Sequence, residues 1–179
     1  MEELELVKKL KDKDFKNEAF EELLNQYKER LYWHIRHMLK SHEDTDDVLQ
    51  NVFIKVYKNI DKFQGNSKLY SWMYRIATNE SITFLNKRAK RLQISDQDLQ
   101  QKMIDDLKSD VYFEGEEIQI KLQQAIAQLP EKQKEVFNLK YFQEMKYKDI
   151  ADLLDTSVGA LKASYHHATK KIEDFLKSN

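Results

Sequence analysis

Between Asn17 and Ser41 apolar residues return every three or four positions, at Phe20, Leu23, Leu24, Tyr27, Leu31, Ile35 and Met38. That period predicts one long helix with a single buried face, entered at Asn17. A second helix opens at Asp44-Thr45. Its first turn carries Asp46 and Asp47, where carboxylates complement the helix dipole, and Val48, Leu49, Val52, Phe53, Val56 and Ile60 make its buried face. Gln50, Asn51, Ile54, Lys55 and Tyr57 fall on its other faces. After Asp61 the pattern breaks over Lys62-Phe63-Gln64-Gly65-Asn66-Ser67-Lys68, a loop with Gly65 for the turn and Ser67 to cap the helix beyond it. That helix is predicted from about Lys68 to Ala89. It packs through Leu69, Trp72, Met73, Ile76, Ala77 and Phe84, keeps Arg75, Asn79 and Asn86 on a polar side, and closes on the basic run Lys87-Arg88-Ala89-Lys90-Arg91. Upstream of all these, Leu4, Leu6, Val7 and Leu10 predict a short amphipathic helix that the Lys11 to Asp14 run interrupts, and no function attaches to it.

Residues 93–117 are polar and acidic without sustained periodicity, although Leu99, Met103 and Leu107 carry a trace of helical spacing. The stretch reads as a flexible linker, spanning roughly 25–30 Å as a coil. Ile118, Leu122, Ala125, Ile126 and Leu129 then predict a helix stopped at Pro130, and Val136, Phe137, Tyr141 and Phe142 continue the next. From Tyr147, Ile150, Ala151, Leu153 and Leu154 give a short helix, and Asp155-Thr156-Ser157 is a break short enough to be a turn. A last helix comes after it, with Val158, Leu161, Tyr165, Ala168, Ile172 and Phe175 on one side. This is the pattern of a helix-turn-helix. Ser157 is its expected N-cap, Gly159 and Ala160 keep the entry turn slim, and Lys162, Ala163, His166, His167 and Lys170 lie away from the apolar stripe. A plain helical hairpin is the alternative for this segment alone. The expected fold is all-α, with two small helical domains, 1–92 and 118–179, joined by the acidic linker 93–117.

Composition sharpens this picture. With one Pro, three Gly and 34% charged residues in 179, the chain is expected to be mostly helical. The absence of Cys excludes disulfides and Cys-ligated zinc, so any DNA reading is not done by zinc fingers. No apolar run is long enough for a membrane span and the acidic start MEELEL is not a signal peptide, so a cytoplasmic protein without membrane insertion is expected. The net charge of −1 hides a partition: residues 93–121 hold 3 basic against 8 acidic side chains, whereas residues 1–92 hold 18 against 15. Weak intrinsic affinity for nucleic acid is the consequence, and a DNA role then needs a partner.

From Phe53 to Phe84, aromatic residues alternate with Lys55, Lys58, Lys62, Lys68 and Arg75. Single-stranded nucleic acid is held by this combination, cations for phosphates and ring faces for unstacked bases. Most of these rings belong to a core; Phe63, Tyr70 and Tyr74, at or near the loop, are the ones expected to be exposed. His34, His37 and His42 cluster and His166 adjoins His167, but no Glu-x-x-His pattern accompanies them, and packed or solvated histidines outweigh metal ligation.

Three stretches in order give the chain a resemblance to a family: DTDDVLQNVF from Asp44 to Phe53, KFQGNSKLYSWMYRIATN from Lys62 to Asn79, and AIAQLPEKQKEVFNLKYF from Ala125 to Phe142 with the helix-turn-helix after it. Together they resemble the sigma-70 family of bacterial RNA polymerase sigma factors, in its small extracytoplasmic-function (ECF) type, over about residues 18–177. The resemblance implies a transcription initiation factor, not an enzyme, with no cofactor, metal or small-molecule substrate. Its partners would be core RNA polymerase, through the clamp helices of the largest subunit and the flap of the second-largest, promoter DNA, and an anti-sigma protein where one exists. The implied polymerase contacts are Asp46, Asp47, Gln50, Asn51, Ile54 and Tyr57. The implied −10 contacts are Lys62, Phe63, Gly65, Asn66, Ser67, Lys68, Tyr70, Trp72, Tyr74, Arg75, Asn79, Lys87 and Arg88, with the loop shaping a pocket for a flipped base. The implied −35 contacts are Lys148, Ser157, Val158, Gly159, Ala160, Lys162, Ala163, His166 and Lys170. One departure stands out: relatives commonly place arginines in the recognition helix, whereas Ala163, Ser164, His167 and Thr169 stand here. Arginine paired to guanine is the commonest specific base contact, and Ala and Thr suit thymine methyls, so readout leaning to A/T is expected. The residues by themselves leave open a one-component DNA-binding regulator, a helical metal enzyme and a helical adaptor.

Overall fold

A computed structural model describes residues 2–107 and 117–178. Among the described residues nine α-helices form two compact units that divide between Arg88 and Ala89. In the first unit α1 (Glu3–Lys11), α2 (Lys16–Leu39), α3 (His42–Asn59) and the start of α4 (Leu69–Leu92) close around one core. The short helix at the amino end therefore forms, and it forms because Leu6 and Leu10 are fully buried. Leu23, Leu31, Ile35 and Leu39 of α2, Val48, Val52 and Val56 of α3, and Leu69, Met73 and Ala77 of α4 fill the rest of the interior.

The boundary between α2 and α3 is built from local chemistry. Lys40 takes a left-handed φ of 56° to end α2, and Ser41 caps α3 by accepting the Asp44 N–H at 3.3 Å. The cap lies three residues earlier than the Asp44 opening that the carboxylates suggested, because Ser41 rather than an acid satisfies the first free amide. Phe20 ties the two helices together, meeting Phe53 and Tyr57 edge to face at 6.3 and 5.0 Å.

The second unit contains α5 (Asp96–Leu107), α6 (Glu117–Ala127), α7 (Glu131–Phe137), a π-helical turn over Asn138–Phe142, α8 (Tyr147–Leu154) and α9 (Val158–Ser178). The stretch expected to be flexible linker is thus helical over α5, while 108–116 lie outside the described residues. The trace of spacing in that stretch was the signal: Leu99, Met103, Ile104 and Leu107 are all buried, and α5 packs on α6. Ala125, Ile126, Leu129, Phe137, Ala168 and Ile172 make the core of this unit. Pro130 is the N-cap of α7. Ile118, expected on the packing side of α6, stands 52% exposed.

Candidate nucleic-acid interface

The helix-turn-helix assembles from short-range signals. Asp155 turns the chain with φ 51°, which a short polar residue tolerates in the left-handed region, and the Ser157 hydroxyl accepts the Ala160 N–H at 3.1 Å. Ile150 and Leu153 of α8 and Leu161 of α9 are buried, which fixes the angle between the two helices. The opposite side of α9 is open. Ser157, Val158, Gly159, Ala160, Lys162, Ala163, His166 and Lys170 are all exposed, as is Lys148 on α8. A Cβ built on Gly159 meets nothing within 4 Å, so no contact inside the chain requires a glycine there. Beside this face Tyr147 lies between two cations, with Lys140 Nζ at 4.9 Å and Lys162 Nζ at 5.9 Å from its ring centre. Lys140 escaped notice in the sequence because it sits in the π-helical turn, where helical spacing no longer tells which way a side chain points.

The site in the first unit is built differently. Its loop runs from Phe63 to Lys68, between the 3₁₀ turn Ile60–Lys62 and α4, with Gly65 at φ 75°. Lys62, Gln64, Gly65, Asn66 and Lys68 are exposed and Ser67 is partly so. Asn66 donates to the Gln64 side chain at 3.1 Å. Along α4 the exposed positions Arg75, Asn79, Ile82, Asn86 and Lys87 continue the surface. Ile82, 44% exposed among polar neighbours, was not foreseen; its place one turn beyond Asn79 was the available signal.

The expectation that Phe63, Tyr70 and Tyr74 present exposed rings is overturned. They are 4%, 5% and 3% exposed. Tyr70 stacks on Tyr27 at 6.0 Å beneath the Arg30 guanidinium at 3.9 Å, and burial pushes its hydroxyl up to about 12 against the opposing pull of Arg30. Tyr74 stacks on His34 at 3.9 Å. Phe63 packs on Trp72 at 5.4 Å, and Trp72 is only partly buried. Of the basic candidates at the far end of α4, Lys87 is exposed, whereas Arg88 is held by Asp44 of α3 at 2.7 Å. That ion pair fastens the two helices where the basic run begins.

His34 shows how the polar interior is satisfied. The Thr78 hydroxyl donates to the Tyr74 carbonyl, so the 2.9 Å contact between His34 Nε2 and Thr78 Oγ1 is a donation from a neutral imidazole. Burial, and after it the neighbouring His37, lowers the His34 pKa to about 3. His42 bonds Tyr32 through Nδ1 at 2.6 Å and faces Asp46 through Nε2 at 3.3 Å. Among the described residues no group of three or more His, Cys, Asp or Glu side chains is placed to hold a metal.

A third surface lies between α2 and α3. Phe20, Leu24, Leu49 and Phe53 floor a groove whose rim carries Asp46, Asp47, Gln50, Ile54 and Tyr57, five of the six residues that the resemblance gave to polymerase binding. Asn51 is exposed on the same helix. Ile54 is 45% exposed, an apolar side chain among carboxylates and amides. Tyr57 is partly committed within the chain, donating to the Asn17 side chain at 2.9 Å under Lys16.

Residues 23–91 match the family of sigma-70 region 2, and residues 119–172 match sigma-70 region 4. The ECF RNA polymerase sigma-E factor of Haemophilus influenzae is 30% identical over 177 residues, covering 94% of this chain and 92% of that protein. The ECF RNA polymerase sigma factor SigW of Bacillus subtilis is 28% identical, covering 96% and 95%. Among solved structures, CnrH in complex with the cytosolic domain of CnrY superposes with a TM-score of 0.71 at 20% identity, covering 99% of this chain and 98% of that one. The sigma factor RpoE of Bartonella quintana, in complex with the anti-sigma factor NepR, gives 0.63 at 19% identity, covering 88% and 96%.

Proposed function

Because the chain belongs to the ECF RNA polymerase sigma factors of the sigma-70 family, and so is a promoter-specific transcription initiation factor, we propose a division of labour among its three surfaces. Residues 1–92 act as region 2, residues 118–179 as region 4, and residues 93–117 join them. The α2–α3 groove docks on the clamp helices of the polymerase's largest subunit, with Ile54 as the apolar anchor and Asp46, Asp47, Gln50 and Asn51 as its polar rim. Region 4 contacts the flap of the second-largest subunit and enters the −35 major groove with the first turns of α9. The 63–68 loop and the open face of α4, with Trp72, Arg75, Asn79 and Lys87, capture the −10 element.

The observation that carries this reading is the entry end of α9: it is capped, slim and exposed at every one of its expected groove-facing positions, in a chain whose other unit offers a separate polar surface for nucleic acid. Neither surface is strongly basic. Affinity comes from adding polymerase, duplex and captured bases together, and that sum offsets the few kcal/mol needed to unstack the first bases. Phosphodiester chemistry belongs to the polymerase; this chain binds and is not an enzyme. No helix among the described residues is long and apolar enough to cross a membrane, and action on polymerase places the protein in the cytoplasm. An anti-sigma protein would act by covering these same surfaces; one structural relative, RpoE of Bartonella quintana, is seen with an anti-sigma factor.

Reconstituted transcription tests the proposal, using purified protein, sigma-free bacterial core polymerase and a fragmented genomic library of the source organism with transcript starts mapped. Initiation at discrete starts that share two upstream elements is expected. Specific duplex binding by the protein alone, without such starts, would give the function to a one-component regulator instead.

A further inference from the structure

The helix to which the sequence attached no function touches both ends of the 63–68 loop. Glu3, in the first turn of α1, accepts the Leu69 N–H through Oε1 at 2.9 Å, and Lys11, its last residue, donates from Nζ to the Phe63 carbonyl at 2.6 Å. Leu6 and Leu10 between them are 0% and 1% exposed, so the rod that carries these two groups is itself fixed in the core. Eight residues of helix set the two groups about 12 Å apart along a stiff axis. The chain between the anchored ends, Gln64 to Lys68, is mostly exposed.

Other contacts reinforce each anchor. Phe63 also donates its N–H to the Ile60 carbonyl, and its ring is pinned against Trp72. Leu69 is buried, and the next residue, Tyr70, is locked between Tyr27 and Arg30. A carboxylate at the first turn of α4 also complements that helix's dipole, which favours Glu3 at this end. If only burial were needed to dock α1, Leu6 and Leu10 would suffice. The charged ends do something narrower: they fix the separation and direction of the two points from which the loop is hung.

Resting on the reading of this loop as the −10 capture element, we propose that α1 is a positioning strut for it, with Glu3 and Lys11 as positioning residues that determine how sharply it discriminates the captured base. A recognition constellation must be held to within about 0.5 Å to stay selective, and a six-residue loop with loose ends does not hold one. Glu3 and Lys11 need never touch DNA to do this.

The test uses the full chain bound to core polymerase and a pool of randomised single-stranded DNA oligonucleotides, with enrichment read at each position. Asn66→Ala first identifies the position whose base preference the loop controls. At that position the Glu3→Ala/Lys11→Met variant is expected to lose roughly tenfold in discrimination, the scale of one or two lost hydrogen bonds. Preferences elsewhere in the oligonucleotide and core binding should hold, and the thermal unfolding midpoint should fall only by the modest shift that the two lost hydrogen bonds cost. Glu3→Gln with Lys11→Arg, which keeps an acceptor and a donor, should restore most of the loss. Lys11→Met alone, which retains the apolar stem, is read the same way and guards against instability of the double variant. Full discrimination in the variants while Asn66→Ala abolishes it would remove the strut and leave the loop reading intact, and so would a loss spread evenly over all positions in step with the melting temperature. If Asn66→Ala itself leaves every position unchanged, the loop is not the capture element and the strut falls with it.

Discussion

The two surfaces proposed to face DNA are built by opposite routes. On α9 the residues of the proposed reading face are exposed because the helical period puts them opposite Leu161, Ala168 and Ile172, and one serine cap within three residues completes the entry turn. In the first unit the loop and the α4 face depend on contacts between residues far apart in the chain, Glu3 with Leu69, Lys11 with Phe63 and Asp44 with Arg88. A surface made by period is robust and legible; a surface made by tertiary anchoring is adjustable, since altering a strut retunes a loop without altering its sequence. That contrast suits the two tasks. Reading a duplex groove requires a rigid rod, whereas capturing an unstacked base requires a shaped pocket.

Neighbouring residues of α4 differ in what they hold. Tyr74, 3% exposed and stacked on His34, belongs to the core, and Tyr74→Ala is expected to destabilise the unit by about 3–5 kcal/mol in denaturant unfolding. Asn79, exposed a little over one turn later, should leave stability within about 0.5 kcal/mol when changed to Ala while impairing promoter opening, measured by permanganate reactivity of unpaired thymines. Equal destabilisation by both would mean that the α4 face is structural throughout.

The anchored unit should also be the acid-sensitive one. His34 titrates at about 3 in the folded chain against about 6.5 unfolded, so the unfolded state binds the extra proton first. Stability is therefore fully present above pH 6.5 and is lost as pH falls towards 3, and at pH 5 the cost from His34 alone is about 2 kcal/mol. His34→Gln, which keeps a donor for Thr78, should flatten that part of the profile. An unchanged slope between pH 6.5 and 5 would show that the ring is not held neutral by the core.

Gly159 offers the matching test on the other side. Nothing in the chain lies within 4 Å of a Cβ at that position, so Gly159→Leu should fold normally. The added side chain stands where the groove would lie, and −35 duplex binding should fall at least tenfold, on the scale of roughly 1–3 kcal/mol for one spoiled base-pair contact. Normal duplex affinity would move the reading face away from this turn.

Legibility in the sequence obeys the same division. Helix faces on α2, α3, α4 and α9, the Ser157 cap, the polar turn at Asp155 and the exposed positions on α9 all come from spacings of three and four or from residues within one turn. The burial of Phe63, Tyr70 and Tyr74 did not. Proximity to a loop argued for exposure, but the partners that cover those rings, Trp72, Tyr27 with Arg30, and His34, are supplied by packing. The helix α5 was masked by its acidity: four aspartates on its outer side hid four apolar residues on its inner one. The anchoring role of Glu3 and Lys11 had no local signal, because its partners lie 66 and 52 residues away.

The smallest expected effect bears on how the second unit would hold DNA. Lys162 projects from the open face of α9, and its ammonium lies 5.9 Å from the Tyr147 ring centre, with Lys140 on the same ring at 4.9 Å. Two cations sharing one ring are held as a pair, which suits successive phosphates better than a base edge. Lys162→Ala should therefore weaken duplex binding by a similar factor on every sequence tested and reduce the slope of log K against log salt by about 0.9, the value of one released counterion. A base reader would behave otherwise, losing affinity mainly at one position of the site with little change in salt slope. Tyr147→Leu separates the cations from their shared ring without removing either charge. It should reproduce part of the affinity loss and none of the slope change, because both charges remain available to phosphate but are no longer oriented towards it.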